Sequence, residues 1–279
     1  MPKYKFCKLH CLYFGIFNFS NKETSMKIIS YNLNGIRAAV KKDLIGFIKE
    51  HDFDIIGIQE TKAWVTDIPT ELFEEIGYHC HWYSAEKKGY SGVGIMSKIK
   101  PDKVVKGCGI EQYDKEGRVI RADFGDVTVL SCYFPSGSSG DERQVIKMSF
   151  LADIQPWIAE LRKERPKLII MGDYNVANHA IDVYNPDKAK RYSGFLPEEQ
   201  EWLTGWFNDG FIDAFRFKNP EMQQYSWWSY RAGNRGKNRG WRIDYQSVTE
   251  NMKSNINDCY QMTDAVHSDH CPVFLDISF

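Results

Sequence analysis

The chain has 279 residues, 43% of them hydrophobic, and a formal net charge of −1 at pH 7. That is enough apolar side chain for one large core, and no Pro/Gly/Ser-rich linker divides its middle. The charge balance excludes a general basic excess, and the seven cysteines, with no C-x-x-C pair or metal-ligand spacing, fit reduced thiols in a cytoplasmic protein.

Residues 1–25 look unlike the rest. Lys3, Lys5 and Lys8 precede a short apolar run at 11–17 and a polar stretch at 18–25. The run is too short to cross a bilayer and no small-x-small cleavage site follows it, so no membrane association is expected. The segment reads as a disordered or artefactual extension ahead of a natural start at Met26, with 26–279 forming one domain organised from Lys27.

Residues 27–31 alternate as a strand and stop at the turn-rich Asn32-Leu33-Asn34-Gly35. Leu44, Ile45 and Ile48 predict a helix over 42–51, and 54–58 predict a buried strand ending at Gln59-Glu60. Strands follow at 93–96, 119–124 and 127–134, the last two a hairpin around Gly125-Asp126. Val145, Met148, Leu151, Ile154, Ile158 and Leu161 predict an amphipathic helix over 141–165 that Pro156 should kink or split. A strand at 168–171 ends at Gly172-Asp173, and a helix with Pro in its first turn spans 197–207. Strands at 225–230, 241–248 and 271–277 complete the pattern. Strands adjacent in sequence point to mixed or antiparallel sheets covered by helices.

A recurrent feature is an apolar strand that ends in an amide or carboxylate: Asn32, Asn34, Glu60, Asp173, Asn175 and Asp244. One such residue is an ordinary turn or cap. Several become a site if the strands lie side by side. The set is rich in oxygen, which suits Mg²⁺, with Mn²⁺ as a substitute, better than Zn²⁺. Glu60 is the best single carboxylate for the ion, while Asp173 and Asn175 could hold a water. His270 follows Asp269 and could donate to a phosphate, although alone it is more often structural; Tyr133 could offer a phenol to the same group. Arg231, Arg235, Lys237, Arg239 and Arg242 form a basic run flanked by Trp227, Trp228 and Trp241, with no acid between 226 and 243. Such a run is either a solvated loop or a nucleic-acid surface.

The ordered segments Asn32-Leu33-Asn34-Gly35-Ile36-Arg37, Gln59-Glu60-Thr61-Lys62, Gly172-Asp173-Tyr174-Asn175-Val176, Trp241-Arg242-Ile243-Asp244-Tyr245 and Ser268-Asp269-His270-Cys271-Pro272 resemble the exonuclease III family of abasic-site DNA endonucleases. The likeness runs from Lys27 to Phe279. It implies a DNase I-like α/β fold, a four-layer αββα sandwich of two packed mixed β-sheets flanked by helices. It implies Mg²⁺ held mainly by Glu60, with Asn32, Asn34 and Asp269 at or near the ion. Asp173 would act on water, Asn175 would steady the attacking oxygen, and Tyr133 and His270 would contact the phosphate, with Asp244 orienting His270. Trp227, Trp241 and Ile243 would wall a pocket for a flipped-out baseless sugar, while Arg37, Lys42, Tyr90 and Arg242 would contact DNA.

The resemblance therefore implies a DNA-repair phosphodiesterase that works as a monomer on double-stranded DNA. It would cut the backbone 5′ to abasic sites, with 3′→5′ exonuclease and 3′-end cleaning as companion activities. A superfamily phosphodiesterase acting on RNA, lipid or inositol phosphate would share the Asn, Glu, Asp and His frame, but the tryptophans and basic run argue against a lipid headgroup. Ser136, Ala189 and Tyr192 depart from the family pattern, in which Asn is frequent nearby, and bear on lesion preference.

Overall fold

The computed structural model describes residues 25–279, so the expected extension falls, but for Ser25, outside the described residues. The first strands are β1 (Ser25–Asn32), β2 (Ile55–Gln59), β3 (His79–Tyr83), β4 (Val93–Ser97), β5 (Lys103–Lys106) and β6 (Val119–Phe124). They are followed by β7 (Val127–Tyr133), β8 (Lys167–Asp173), β9 (Phe211–Asp213), β10 (Asp244–Thr249), β11 (Ile256–Gln261) and β12 (Val273–Ser278). Two six-stranded mixed sheets result, ordered β11-β12-β1-β2-β4-β3 and β5-β6-β7-β8-β10-β9.

The apolar strands are explained by burial on both faces. Ile28 of β1 and Ile169 and Met171 of β8 point into the layer between the sheets, where they meet Ile95, Ile120, Val129, Val248 and Leu275. Their neighbours point outward: Ile29 and Tyr31 pack with Leu44 and Ile48 of the helix Leu44–His51, and Leu168 and Ile170 pack with Leu151, Ile154, Leu203 and Trp206. Each buried side chain of this size contributes about 1.5–3 kcal/mol. Gly57 leaves room between the sheets for the Met171 side chain, which a Cβ there would displace.

The helix Asp141–Glu164 continues through Pro156 instead of splitting. Pro156 and Ala152 are both exposed, so the carbonyl that loses its N–H partner can turn to water. β1 starts at Ser25, two residues before the predicted strand, and the Ser25 hydroxyl donates to Asp276. Residues 225–230 are not a strand. Ser226 N and Trp227 N both donate to Trp241 O (3.0 and 2.9 Å), Trp228 N donates to Asp269 O (3.0 Å), and Cys271 N donates to Ser226 O (2.7 Å). The segment thus straddles two loops. Among the described residues no helix is long and apolar enough to cross a membrane.

Candidate active site

Strand direction gathers the polar strand ends. β1 pairs in parallel with β2, with Asn32 opposite Gln59, which places Glu60 just past that edge. β7 pairs in parallel with β8, with Tyr133 opposite Asp173, and β10 runs antiparallel to β8, with Asp244 opposite Asp173. Three strand termini therefore set Tyr133, Asp173 and Asp244 in one row, and the loop entering β12 brings His270 to the same edge.

Asn32 joins the two sheets. Its amide nitrogen donates to Glu60 Oε1 and to Asp173 Oδ2, each at 2.8 Å, while its oxygen accepts from Asn34 N at 2.9 Å. Reversing the amide would set oxygen against two carboxylates and nitrogen against an N–H. Asn32, expected at or near the ion, braces two carboxylates through its amide nitrogen while its oxygen accepts one backbone N–H.

Asn34, Glu60, Lys62 and Asn175 all have left-handed backbones, with φ of 48°, 51°, 46° and 53°. This conformation costs about 1–2 kcal/mol per residue outside glycine and clusters at functional sites. Local bonds offset it, among them Gly35 N to Glu60 O at 2.8 Å, Lys62 N to Ser91 O at 2.9 Å, and Asn175 N to Asp173 Oδ1 at 2.8 Å.

Glu60 Oε2 and Asn34 Oδ1 converge on the Lys62 ammonium at 2.6 and 2.5 Å, so hard oxygen donors already gather around a positive charge. Glu60, Asp173 and His270 each place a ligand-capable atom within 4.8 Å of the others. Oxygen donors with a single ring nitrogen suit Mg²⁺ or Mn²⁺. Asp269 stands one step away, accepting from Asn34 Nδ2 at 2.9 Å and Trp227 Nε1 at 3.1 Å.

His270 Nδ1 meets Asp244 Oδ2 at 2.8 Å, and the same oxygen accepts from Ser226 Oγ at 2.6 Å. His270 Nε2 lies 3.9 Å from Asp173 Oδ2. Burial raises the Asp173 carboxyl to about 8, with Asp244 and Glu60 adding to the rise and His270 opposing it. Burial disfavours the His270 imidazolium, but the charge and hydrogen bond of Asp244, then Asp173 and Asp269, outweigh it and lift the ring to about 10. Both groups therefore hold their protons more firmly than usual, and Asp244 makes the His270 proton the more firmly held of the two. Burial, then Glu60 and Asp173, push the Tyr133 phenol well above its usual range, which keeps it a neutral donor.

These groups open into a cleft of about 430 Å³ walled on one side by Trp227, Trp241 and Ile243, with Ser136 and Tyr192 also on its lining. The two indoles meet edge-on at 6.5 Å and 89°. Tyr192 is 54% exposed, whereas Ala189 is buried among Val183 and Phe195. Arg37 and Lys42 are exposed beyond the cleft, and Lys42 Nζ donates to His267 O at 3.0 Å. The Tyr90 hydroxyl accepts from Arg143 Nη2 at 2.8 Å and Arg118 Nη2 at 3.1 Å.

The basic run divides in a way the sequence did not reveal. Arg242 is wholly buried, ion-paired to Asp182 at 2.7 Å and Asp213 at 2.8 Å, with its guanidinium over the Tyr245 ring. It cannot contact DNA as placed, which corrects that expectation: buried Asp182 and partly buried Asp213 hold the cation inside. Arg235 also turns inward, donating to the carbonyls of Ser268 and Thr263 at 2.9 Å and Ala265 at 2.5 Å, and it covers the buried Trp228. Arg231, Lys237 and Arg239 remain exposed.

Sequence reasoning missed Lys62, although it stands two residues after Glu60, and missed Arg118, whose guanidinium lies 4.9 Å over the Tyr133 ring. It also missed Lys147, a lysine on the apolar stripe of a helix, which is a legible anomaly.

The family model described as Endonuclease/Exonuclease/phosphatase family matches residues 29–269. An exodeoxyribonuclease of Bacillus subtilis (strain 168) is 44% identical over 255 residues, covering 91% of this chain and 100% of that protein. A DNA repair nuclease of Danio rerio is 37% identical over 257 residues, covering 91% of this chain and 83% of that protein. The solved structure of an AP endonuclease from Archaeoglobus fulgidus superposes with a TM-score of 0.84 at 31% identity, covering 90% of this chain and 99% of that one.

Proposed function

The chain belongs to the endonuclease/exonuclease/phosphatase family and is a nuclease of the exonuclease III type, and from that premise we propose that its cleft cuts DNA 5′ to abasic sites. Residues 26–279 form the catalytic domain in this reading, and 3′→5′ exonuclease and 3′-end cleaning are companion activities of the same site. The observation that carries it is His270 Nε2 set 3.9 Å from Asp173 Oδ2, beside a wall of two tryptophans.

Glu60 would hold Mg²⁺ with Asn34, and Asp269 stands close by; when bound, the ion neutralises charge on a phosphate oxygen. Asp173, once it has given up the proton that its raised pKa holds at neutral pH, takes a proton from a water whose oxygen attacks phosphorus, and Asn175 orients that oxygen. The P–O bond to the 3′-oxygen of the preceding nucleotide breaks, and that oxygen takes a proton from solvent water to become the 3′-hydroxyl. His270, charged at neutral pH, donates through Nε2 to a non-bridging oxygen on which charge builds, and Tyr133 donates its phenol hydrogen to the same group. Asp244 keeps the imidazolium charged and fixes its plane.

Substrate choice follows from the apolar wall. Trp227, Trp241 and Ile243 favour a sugar that carries no base, and extrusion costs least where pairing is already lost. Exposed Arg37, Arg231, Lys237 and Arg239 would meet phosphates. All of these groups come from one chain, so the reading needs no second copy. The five described cysteines are free thiols, which supports a cytoplasmic setting.

A panel of duplexes with a tetrahydrofuran abasic analogue, duplexes without a lesion, and recessed 3′ ends tests this assignment. Incision at the analogue leaving a 3′-hydroxyl is expected. Equal rates on lesion-free DNA, or incision on the 3′ side, would contradict it.

A further inference from the structure

The helix Asp141–Glu164 covers the outer face of its sheet, yet one of its lysines reaches the cleft from behind. Lys147 lies on the buried stripe with Phe150, Leu151 and Ile154 and is wholly buried. An ammonium is not buried at small cost unless it is paired and fully bonded. Lys147 Nζ donates to Glu199 Oε1 at 2.6 Å, to the backbone carbonyl of Asn175 at 2.8 Å, and to Ser193 Oγ at 3.3 Å.

Glu199 is equally buried, in the first turn of the helix Pro197–Asn208. Its Oε2 accepts from the backbone N–H of Gly194 at 2.6 Å and of Leu196 at 3.0 Å, and Gln144 Nε2 donates to Oε1 at 3.0 Å. Gly194 has φ 100°, and a Cβ there would lie 3.0 Å from the Trp241 ring and 3.2 Å from Asn175 O. The Ser193–Gly194 turn therefore packs against both the lesion wall and the residue that orients water.

We infer that the buried Lys147–Glu199 pair positions the two halves of the cleavage site together. Lys147 fixes Asn175, whose left-handed backbone needs its carbonyl held, while Glu199 fixes the turn behind Trp241. Lys147 is a positioning residue: it acts through a carbonyl and touches neither water nor phosphate. A pair that merely fastened two outer helices would have no need of Asn175 O or Gly194 N. The inference rests on reading the cleft as a nuclease site.

The test is steady-state cleavage of the abasic-analogue duplex in Mg²⁺ by a neutral pair, Lys147→Met with Glu199→Gln, which removes both charges and leaves no buried ion unpaired. The expected result is a kcat lowered about 10- to 100-fold. Placing the pair in an Asn175→Ala background should lower kcat less than about twofold beyond Asn175→Ala alone, because linked residues are not additive. Glu199→Gln alone should raise KM about three- to tenfold, more than it lowers kcat. A neutral pair within twofold of the parent kcat would overturn the inference, as would a full additional loss in the Asn175→Ala background. Should the neutral pair fail to fold, an unchanged KM in Glu199→Gln overturns it, and a raised one supports it. The parent enzyme in the same assay separates the two readings: if it does not cleave, the nuclease reading has failed; if it cleaves while the variants match it, only this inference has.

Discussion

His270 turns its Nδ1 to Asp244 Oδ2 at 2.8 Å, 26 residues away in sequence, and not to Asp269 beside it. Asp269 is engaged with Asn34 and Trp227, so the two acids have separate partners: Asp244 holds the histidine, and Asp269 ties Asn34 to Trp227.

Asp244→Asn should therefore lower the His270 pKa. Burial already opposes the charged ring, and Asp244 is the largest of the influences that raise it to about 10. A histidine raised above its usual value adds stability that is complete below about 6.5 and is lost as pH climbs through the folded value. The variant loses this contribution, and its imidazolium deprotonates earlier. NMR titration of the ring Cε1–H should show the shift, and kcat at pH 8 should fall about 100-fold or more. An unmoved titration would contradict the pairing.

Glu60→Ala and His270→Ala should fail differently. Loss of Glu60 should raise the Mg²⁺ concentration for half-maximal rate about 10- to 100-fold or more, as loss of a ligand or its support does. Loss of His270 should lower the rate about 100- to 1,000-fold at every Mg²⁺ concentration, as loss of an oxyanion donor does. Metal titrations of both variants check this, and identical curves would refute the division of roles.

Arg242→Met should destabilise the fold by about 3–5 kcal/mol without changing the salt dependence of DNA binding, because it leaves buried Asp182 with Arg216 alone and takes the cation from partly buried Asp213. Arg231→Ala, Lys237→Ala and Arg239→Ala should do the opposite, each reducing the slope of log K against log salt by about 1. Burial would raise Asp182, but Arg242 and then Arg216 hold it below its usual 3.8. That contribution is present above about pH 4 and is lost as pH falls through the depressed folded value. Urea melts from pH 7 to pH 3 should show the parent converging toward Arg242→Met in acid.

Trp241→Ala should remove one lesion wall and cut the preference for abasic over lesion-free duplex about tenfold or more, since wall contacts of this size are worth about 1–3 kcal/mol. Comparing kcat/KM on the two duplexes gives the ratio. An unchanged ratio would place discrimination elsewhere.

Much of the frame was legible because continuous apolar runs ending in Asn, Glu or Asp survive any rearrangement of loops. Ile28 and Ile169 are buried on the inner faces and Ile29 and Ile170 on the outer, so both strands read plainly. Edge strands did not. β3 alternates His79, Cys80 and His81 with little burial, and β5 begins and ends on exposed lysines. The fate of each basic residue was also hidden. Arg231 and Arg242 look alike in a charge run, and only the distant Asp182 and Asp213 decide that Arg242 is inside. The orientation of Asn32 was equally out of reach, because it is fixed by Glu60 and Asp173, 28 and 141 residues away.

The most direct measurement is single-turnover incision of a 5′-labelled duplex carrying one tetrahydrofuran site, first with Mg²⁺ and then with excess EDTA. The account predicts a single product ending in a 3′-hydroxyl immediately 5′ to the lesion, formed with Mg²⁺ and abolished by the chelator. Undiminished cleavage in EDTA, or none in Mg²⁺, would contradict it.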